Sequence, residues 1–388
     1  MRISTDRQRL RVAFVATSMY VGGQERVTVD LVNGLDRERF EPALLLTKDR
    51  GPLLDFVRDD VKVDWGFRRG PLGPLLALPR IQSWLRRWKA DCVFTVGLGD
   101  KLFLGRIAAR LANVPVILSG LHSTPGPEHL GRSVVGRWNR HLMFLNSGVV
   151  TVSEDMRDYL IQHDGYPAAR CRVLANGVDT EKFRPRPPSA EICAELGVQP
   201  DTPVASIVAT LRPEKRHDLF LQAAQVVAEQ LPETQFLIIG GGPLRAEYES
   251  LAEKLGIRER VHFLGSRNDI PDLLALSDVV CLASTDVESA PICMLEAMAT
   301  GRAQVAPAIG GVPKIIEDGV TGLLVPPGDG KALGEAIYRV LADKALSNRL
   351  GEASRARALD RFSLEAMVQS YEDLIEEYCH AEGSGQSP

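Results

Sequence analysis

Short apolar runs of strand length alternate with longer amphipathic stretches along most of the chain. Arg11 to Thr17, Pro42 to Thr47, Cys92 to Val96, Val114 to Leu118 and Gly148 to Val152 read as strands. Between them, Glu25 to Leu35 carries Val27, Val29, Leu31, Val32 and Leu35 at helical spacing, and the stretch around Leu102 to Leu111 reads the same way. Beyond residue 189 the alternation resumes, with Val204 to Ala209, Gln235 to Ile239, Val261 to Leu264, Val279 to Leu282 and Ala303 to Ala306 as strands. Strands alternating with helices predict parallel sheets covered on both faces. The clearest interruption is Phe183 to Pro188, where clustered prolines resist both helix and sheet. The expected organisation is α/β: two doubly wound, Rossmann-like domains over 1–184 and 189–363. The residues after 378 read as a disordered tail, 379–388.

Composition adds little to this picture except through charge. With 388 residues, 45% apolar and 25% charged, the chain is ordinary globular protein of two-domain length. Met1 to Arg11 is polar and leads straight into a strand, so no signal peptide is read, and no apolar run reaches membrane-spanning length. The six cysteines show no C-x-x-C pair, which points to reduced core residues, a cytoplasmic location and no metal site. The net charge of −4 is unevenly spread, +8 over residues 1–185 and −12 over the remainder. A basic first half suits contact with an anionic membrane surface or a phosphorylated acceptor, and it equally fits surface composition with no such role. Pro71 to Lys89, with Leu72, Ile81, Trp84, Leu85 and Trp88 beside Arg80, Arg86 and Arg87, fits either a membrane-surface helix or one covering the sheet. Nothing in the chain calls for nucleic acid as a partner.

Candidate chemistry collects at the carboxyl ends of the strands, where open α/β sheets bind ligands. Glu288 and Glu296 are separated by seven residues, with Pro291 suited to the first position of a helix between them. Two carboxylates near free helix-start amides suit a polyhydroxyl ligand carrying phosphate; taken alone, such a pair is more often a capping acid and a surface helix residue. Gly22 and Gly23 follow the first strand, where backbone approaches a ligand closely, but no full G-x-G-x-x-G follows. His122 lies at the end of the Val116–Leu118 strand. Arg212, Lys215 and their neighbours fall between a strand and a helix, where cations neutralise a diphosphate. Gly242 ends the next strand, and glycine turns at Gly310-Gly311 and Gly319 to Gly322 follow the glutamates.

Taken in order, these segments resemble the retaining GT-B glycosyltransferases of family 4. Gly22-Gly23-Gln24-Glu25, Thr151 to Glu154, Asn176 to Asp179, Arg212 to Lys215, Gly242-Pro243-Leu244, Phe263 to Gly265, the glutamate pair and Gly310 to Pro313 all stand in the family's order, over nearly the whole chain. The resemblance implies two parallel sheets facing across a cleft, with the helix Leu364 to Tyr378 crossing back onto the first domain. It implies a nucleotide-sugar donor, a UDP-sugar ahead of a GDP-sugar, and a glycan or lipid-linked acceptor, with no cofactor or metal. Glu296 would take the ribose hydroxyls and Glu288 those of the donor sugar. The amides of Ile292 and Cys293 would face the diphosphate, Lys215 would balance its charge, and backbone from Leu264 to Arg267 would read the base. Gly22, Gly23 and Gly242 would approach the donor, and His122 would lie near the reacting sugar. One departure stands out: Thr210 occupies the place where the family usually carries arginine. A hydroxyl cannot replace a bidentate cation. Arg212 is the nearby candidate to compensate, and a catalytically weakened binding or scaffold subunit is the alternative that Thr210 leaves open.

Overall fold

The computed structural model describes residues 9–20, 22–68, 72–97, 100–121, 142–199, 201–286 and 288–384. The chain forms two compact units, one of Met1–Asn176 with Leu364–Pro388, the other of Gly177–Ser363. In the first, β1 (Leu10–Ala16), α1 (Gly23–Gly34), β2 (Phe40–Leu46), β3 (Lys62–Trp65), α2 (Gly73–Trp88), β4 (Cys92–Val96), α3 (Asp100–Leu111), β5 (Val116–Leu121), β6 (Gly148–Thr151), α4 (Glu154–Asp164) and β7 (Cys171–Val173) follow in order. Their strands make a seven-stranded sheet, β3-β2-β1-β4-β5-β6-β7, with every pair parallel. The central strands are buried along nearly their whole length, and mostly apolar, because helices cover both faces.

The second unit runs α5 (Ala190–Leu196), β8 (Val204–Val208), α6 (His217–Gln230), β9 (Gln235–Ile239), α7 (Arg245–Lys254), β10 (Val261–Gly265), α8 (Ile270–Leu276), β11 (Val279–Cys281), α9 (Ile292–Ala299), β12 (Ala303–Pro307), α10 (Val312–Ile315), β13 (Leu323–Val325), α11 (Gly330–Ala342) and α12 (Lys344–Arg361). Its parallel sheet has the order β10-β9-β8-β11-β12-β13. In both sheets the direction of winding reverses once, between β1 and β4 and between β8 and β11. These are the topological switch points.

The structure revises several expectations. The first unit ends at Asn176, upstream of the prolines, because Val178 and Phe183 are buried in the second unit's core. Arg355 of α12 fixes that segment by donating from one nitrogen to the carbonyls of Thr180, Phe183 and Ala299. The last helix, α13 (Leu364–Ser384), passes the expected end at Tyr378, since Tyr378 and Cys379 are both buried. The segment 379–384 is therefore helix and not tail. The amphipathic stretch after Pro71 is α2, whose Ala77, Ile81, Trp84, Leu85 and Trp88 lie in the core against β1, β2 and β4. The six cysteines are free thiols, four of them buried. Among the described residues, no helix is long and apolar enough to cross a membrane.

Candidate functional site

Strands β8 and β11 are hydrogen-bonded neighbours, Ala205 beside Val279, so the loops that leave their carboxyl ends emerge together at the second unit's switch point. The β8 loop carries Lys215 and the β11 loop carries Glu288. Glu288 is 6% exposed, and its Oε1 accepts from Lys215 Nζ at 2.5 Å and from Ser284 Oγ at 2.6 Å. Burial pulls the Lys215 ammonium downward, but the charge of Glu288 and the hydrogen bond to it outweigh burial and leave the pKa raised. Lys215 is a cation throughout the neutral range.

The β11 loop then turns into α9. Pro291 caps the helix from outside instead of occupying its first position, and the helix begins at Ile292. The amides of Ile292 and Cys293 fall in the first turn, where no intrahelical acceptor exists. Cys293 lies within electrostatic reach of Lys215, Glu288 and Glu296, and burial, more than these charges, pushes its thiol up to about 12. It is a neutral thiol beside the pair. Glu296, partly exposed on α9, is thus brought to the same corner. The glycine turn after β12 supports the loop from behind: the Gly311 N–H donates to the Glu288 carbonyl at 2.8 Å. Gly310 has φ +48°, and a Cβ there would strike that same carbonyl oxygen.

The remaining expected residues of this unit lie in the loops that leave β8 and β9 and at the end of β10. The β8 loop and the Gly240–Gly242 turn touch backbone to backbone, with Leu211 N–H donating to the Gly241 carbonyl at 3.0 Å. A Cβ at Gly242 would lie 2.5 Å from the Leu211 carbonyl oxygen, so this glycine is required by the packing of the two loops. Thr210 and Arg212 are both exposed, and the Arg212 guanidinium has no hydrogen-bond partner among the described residues. The ladder of β10 shifts register between Phe263 and Gly265, at Leu264. The Arg267 side chain is occupied, gripping Glu195 at 2.7 Å and Asp269 at 2.6 Å, hydrogen bonds that raise its pKa. Only its backbone is left to meet a ligand.

In the first unit, Gly22 caps α1 and Gly23 opens it, at the end of β1 beside that unit's switch point. A Cβ on Gly97, which follows β4 at φ +85°, would meet the Gln24 side chain, so the two loops pack closely there. His122 lies outside the described residues. Ser284, Arg216 and the bracing role of Gly310 were not among the features expected from the sequence. For Ser284 the available signal was a hydroxyl four residues before Glu288; nothing local marked the other two.

Residues 189–357 match the family model "Glycosyl transferases group 1", and residues 21–182 match "Glycosyltransferase Family 4". The chain is 28% identical over 377 residues to the UDP-Gal:alpha-D-GlcNAc-diphosphoundecaprenol alpha-1,3-galactosyltransferase of Escherichia coli, covering 94% of this chain and 96% of that protein. It is 30% identical over 286 residues to the alpha-D-kanosaminyltransferase of Streptomyces kanamyceticus, covering 70% and 72%. Among solved structures, Anabaena Alr3699/HepE in complex with UDP superimposes with a TM-score of 0.82 at 24% identity, over 95% of this chain and all of that one, which establishes a shared fold.

Proposed function

The chain belongs to the GT-B glycosyltransferases of family 4, and on that footing we propose that it moves a hexose or N-acetylhexosamine from a UDP-sugar to a glycan or lipid-linked acceptor. The anomeric configuration is retained and no metal is used. The observation that carries this reading is the Lys215–Glu288 pair at the β8/β11 switch point, beside the start of α9. Glu288 takes the sugar hydroxyls and Glu296 the ribose. As the anomeric C–O bond breaks, positive charge grows on the sugar and negative charge on the departing diphosphate. Lys215 and the amides of Ile292 and Cys293 stabilise the latter. An ammonium has three donors, so Lys215 can hold Glu288 and a phosphate oxygen at once. The acceptor oxygen bonds to the anomeric carbon on the face the diphosphate leaves, and its proton passes to the diphosphate.

UDP is favoured over GDP by the UDP-Gal of the E. coli relative's name and by the UDP-glucose complex of HepE. A diphosphate-lipid acceptor, as in that E. coli enzyme's name, suits the basic first half. Contact with an anionic membrane would draw mainly on that charge, since α2 commits Ile81, Trp84, Leu85 and Trp88 to the core.

A thermal-shift panel of UDP-galactose, UDP-glucose, UDP-N-acetylglucosamine and GDP-mannose tests the donor. A ligand at 100 times its Kd should stabilise the protein by about 2.7 kcal/mol, and a UDP-sugar should lead. With the leading donor, EDTA should leave turnover unchanged, Glu288→Ala should abolish it, and NMR of the product should show the donor's anomeric configuration. An inverted linkage would refute the retaining mechanism.

A further inference from the structure

Three non-glycine residues among those described have positive φ: Lys89, Asn113 and Arg216. Lys89 and Asn113 follow the ends of α2 and α3, where a left-handed residue commonly terminates a helix. Arg216, at φ 47° and ψ 48°, instead begins α6 and closes the single turn Pro213–Lys215. A helix start ordinarily has extended backbone, so a left-handed non-glycine residue here carries a conformational cost that its contacts offset. The side chain shows what holds it. Its Nε donates to Asp218 Oδ1 at 3.0 Å and its Nη2 to Asp218 Oδ2 at 2.8 Å, a two-pronged grip on the first turn of α6. Its Nη1 reaches Thr285 Oγ1 at 3.4 Å, in the β11 loop that carries Ser284 and Glu288.

We infer that Arg216 is a positioning residue for Glu288. Resting on the reading of Glu288 as the sugar-binding carboxylate, the inference assigns Arg216 the task of fixing the 284–290 loop. Asp218 orients the guanidinium, and the remaining nitrogen tethers the loop through Thr285. Lys215 and Arg216 then hold two points of one loop from consecutive positions, Lys215 at Glu288 and Arg216 at Thr285. The left-handed turn at 216 is what sends neighbouring side chains to both points. Arg216→Gly would relax the backbone and remove the tether together, whereas Thr285→Val would remove the tether and leave the backbone at 216 unchanged, which separates the two effects.

The test compares Arg216→Gly, Thr285→Val and Thr285→Ser with the unaltered protein by amide hydrogen exchange, melting temperature, and turnover of UDP-glucose and UDP-galactose. Arg216→Gly should melt at the same temperature or higher, because glycine adopts this conformation without strain. Exchange across 284–290 should nevertheless quicken about three- to tenfold as local opening becomes easier. Its kcat should fall about five- to tenfold at nearly unchanged KM, the pattern of a geometry needed in the transition state. Thr285→Val should behave alike, Thr285→Ser should retain function, and the double variant should be no slower than the worse single one. Unchanged exchange over 284–290 in both Arg216→Gly and Thr285→Val overturns the tether, whether or not either sugar is turned over. A fully active Glu288→Ala overturns the donor-site reading instead. An inactive Glu288→Ala beside unimpaired Arg216→Gly turnover overturns only the positioning role.

Discussion

On the proposed reading, Thr210 puts a hydroxyl where a second cation would face the donor's diphosphate, and the geometry of the loop decides what that costs. Thr210 is exposed, and its carbonyl accepts from the Arg212 N–H at 2.8 Å, so residues 210–212 form a tight turn. Arg212 lies on that turn with an unengaged guanidinium, while Lys215 is already engaged with Glu288. One cation is built into the site and a second is available but not pre-positioned. Thr210→Arg should therefore raise kcat on the order of tenfold, somewhat less than the hundred- to thousand-fold lost when a pre-positioned donor is removed. Unchanged turnover, together with a collapse in Arg212→Ala, would assign the second cation to Arg212. The residue types of this site were legible in the chain because carboxylates, cations and glycines fell at strand ends. The bond between Lys215 and Glu288 was not, because it joins the loops after two different strands, which only the β8–β11 pairing makes adjacent.

Among elements, the turn between β12 and α10 matters more than its length suggests. Gly311 binds the Glu288 carbonyl and Gly310 leaves room for it, so the turn acts as a stop behind the glutamate loop. Gly310→Ala should lower stability by about 1–3 kcal/mol through positive φ and collision together, and should depress kcat beyond what stability explains. Gly319→Ala is the matched control, with φ +72° and no atom within 4 Å of the added methyl. Thermal melts and turnover of both variants decide this, and equal activity would remove the turn from the site's support. The glycines themselves were visible in the sequence, but what they press against was not, since contacts between loops leave no periodicity. The same distinction holds for strands. Cys92–Val96 and Gln235–Ile239 announce themselves as apolar runs, whereas β3, with Lys62 and Asp64, and the three-residue β7 and β13 carry too short or too polar a pattern.

Across the molecule, the chain ends in the unit where it began, and α13 is fastened there by a dedicated carboxylate. Glu372 is 4% exposed; its Oε1 accepts from the Asp36 N–H at 2.6 Å and its Oε2 from Arg39 Nη1 at 2.9 Å. Arg39 also holds the more exposed Glu376 at 2.6 Å, and Glu376 is the largest influence raising the arginine's pKa. Around this network Met367, Tyr371, Ile375 and Tyr378 bury the apolar side of the helix. The returning helix over 364–378 was expected from the family resemblance, but its anchoring partners Asp36 and Arg39 lie more than three hundred positions away, so neither the clasp nor the continuation to Ser384 was legible. Removing one partner of a buried pair costs about 3–5 kcal/mol. Arg39 retains solvent and Glu376, so Glu372→Ala should destabilise the first unit by roughly 2–3 kcal/mol. Glu376→Ala should cost under about 1 kcal/mol. None of the four tryptophans, Trp65, Trp84, Trp88 and Trp138, falls within the second unit's Gly177–Ser363, so denaturant titration followed by tryptophan fluorescence does not report that second unit. Equal midpoints for the two variants would mean that apolar burial, and not the carboxylate clasp, holds the returning helix.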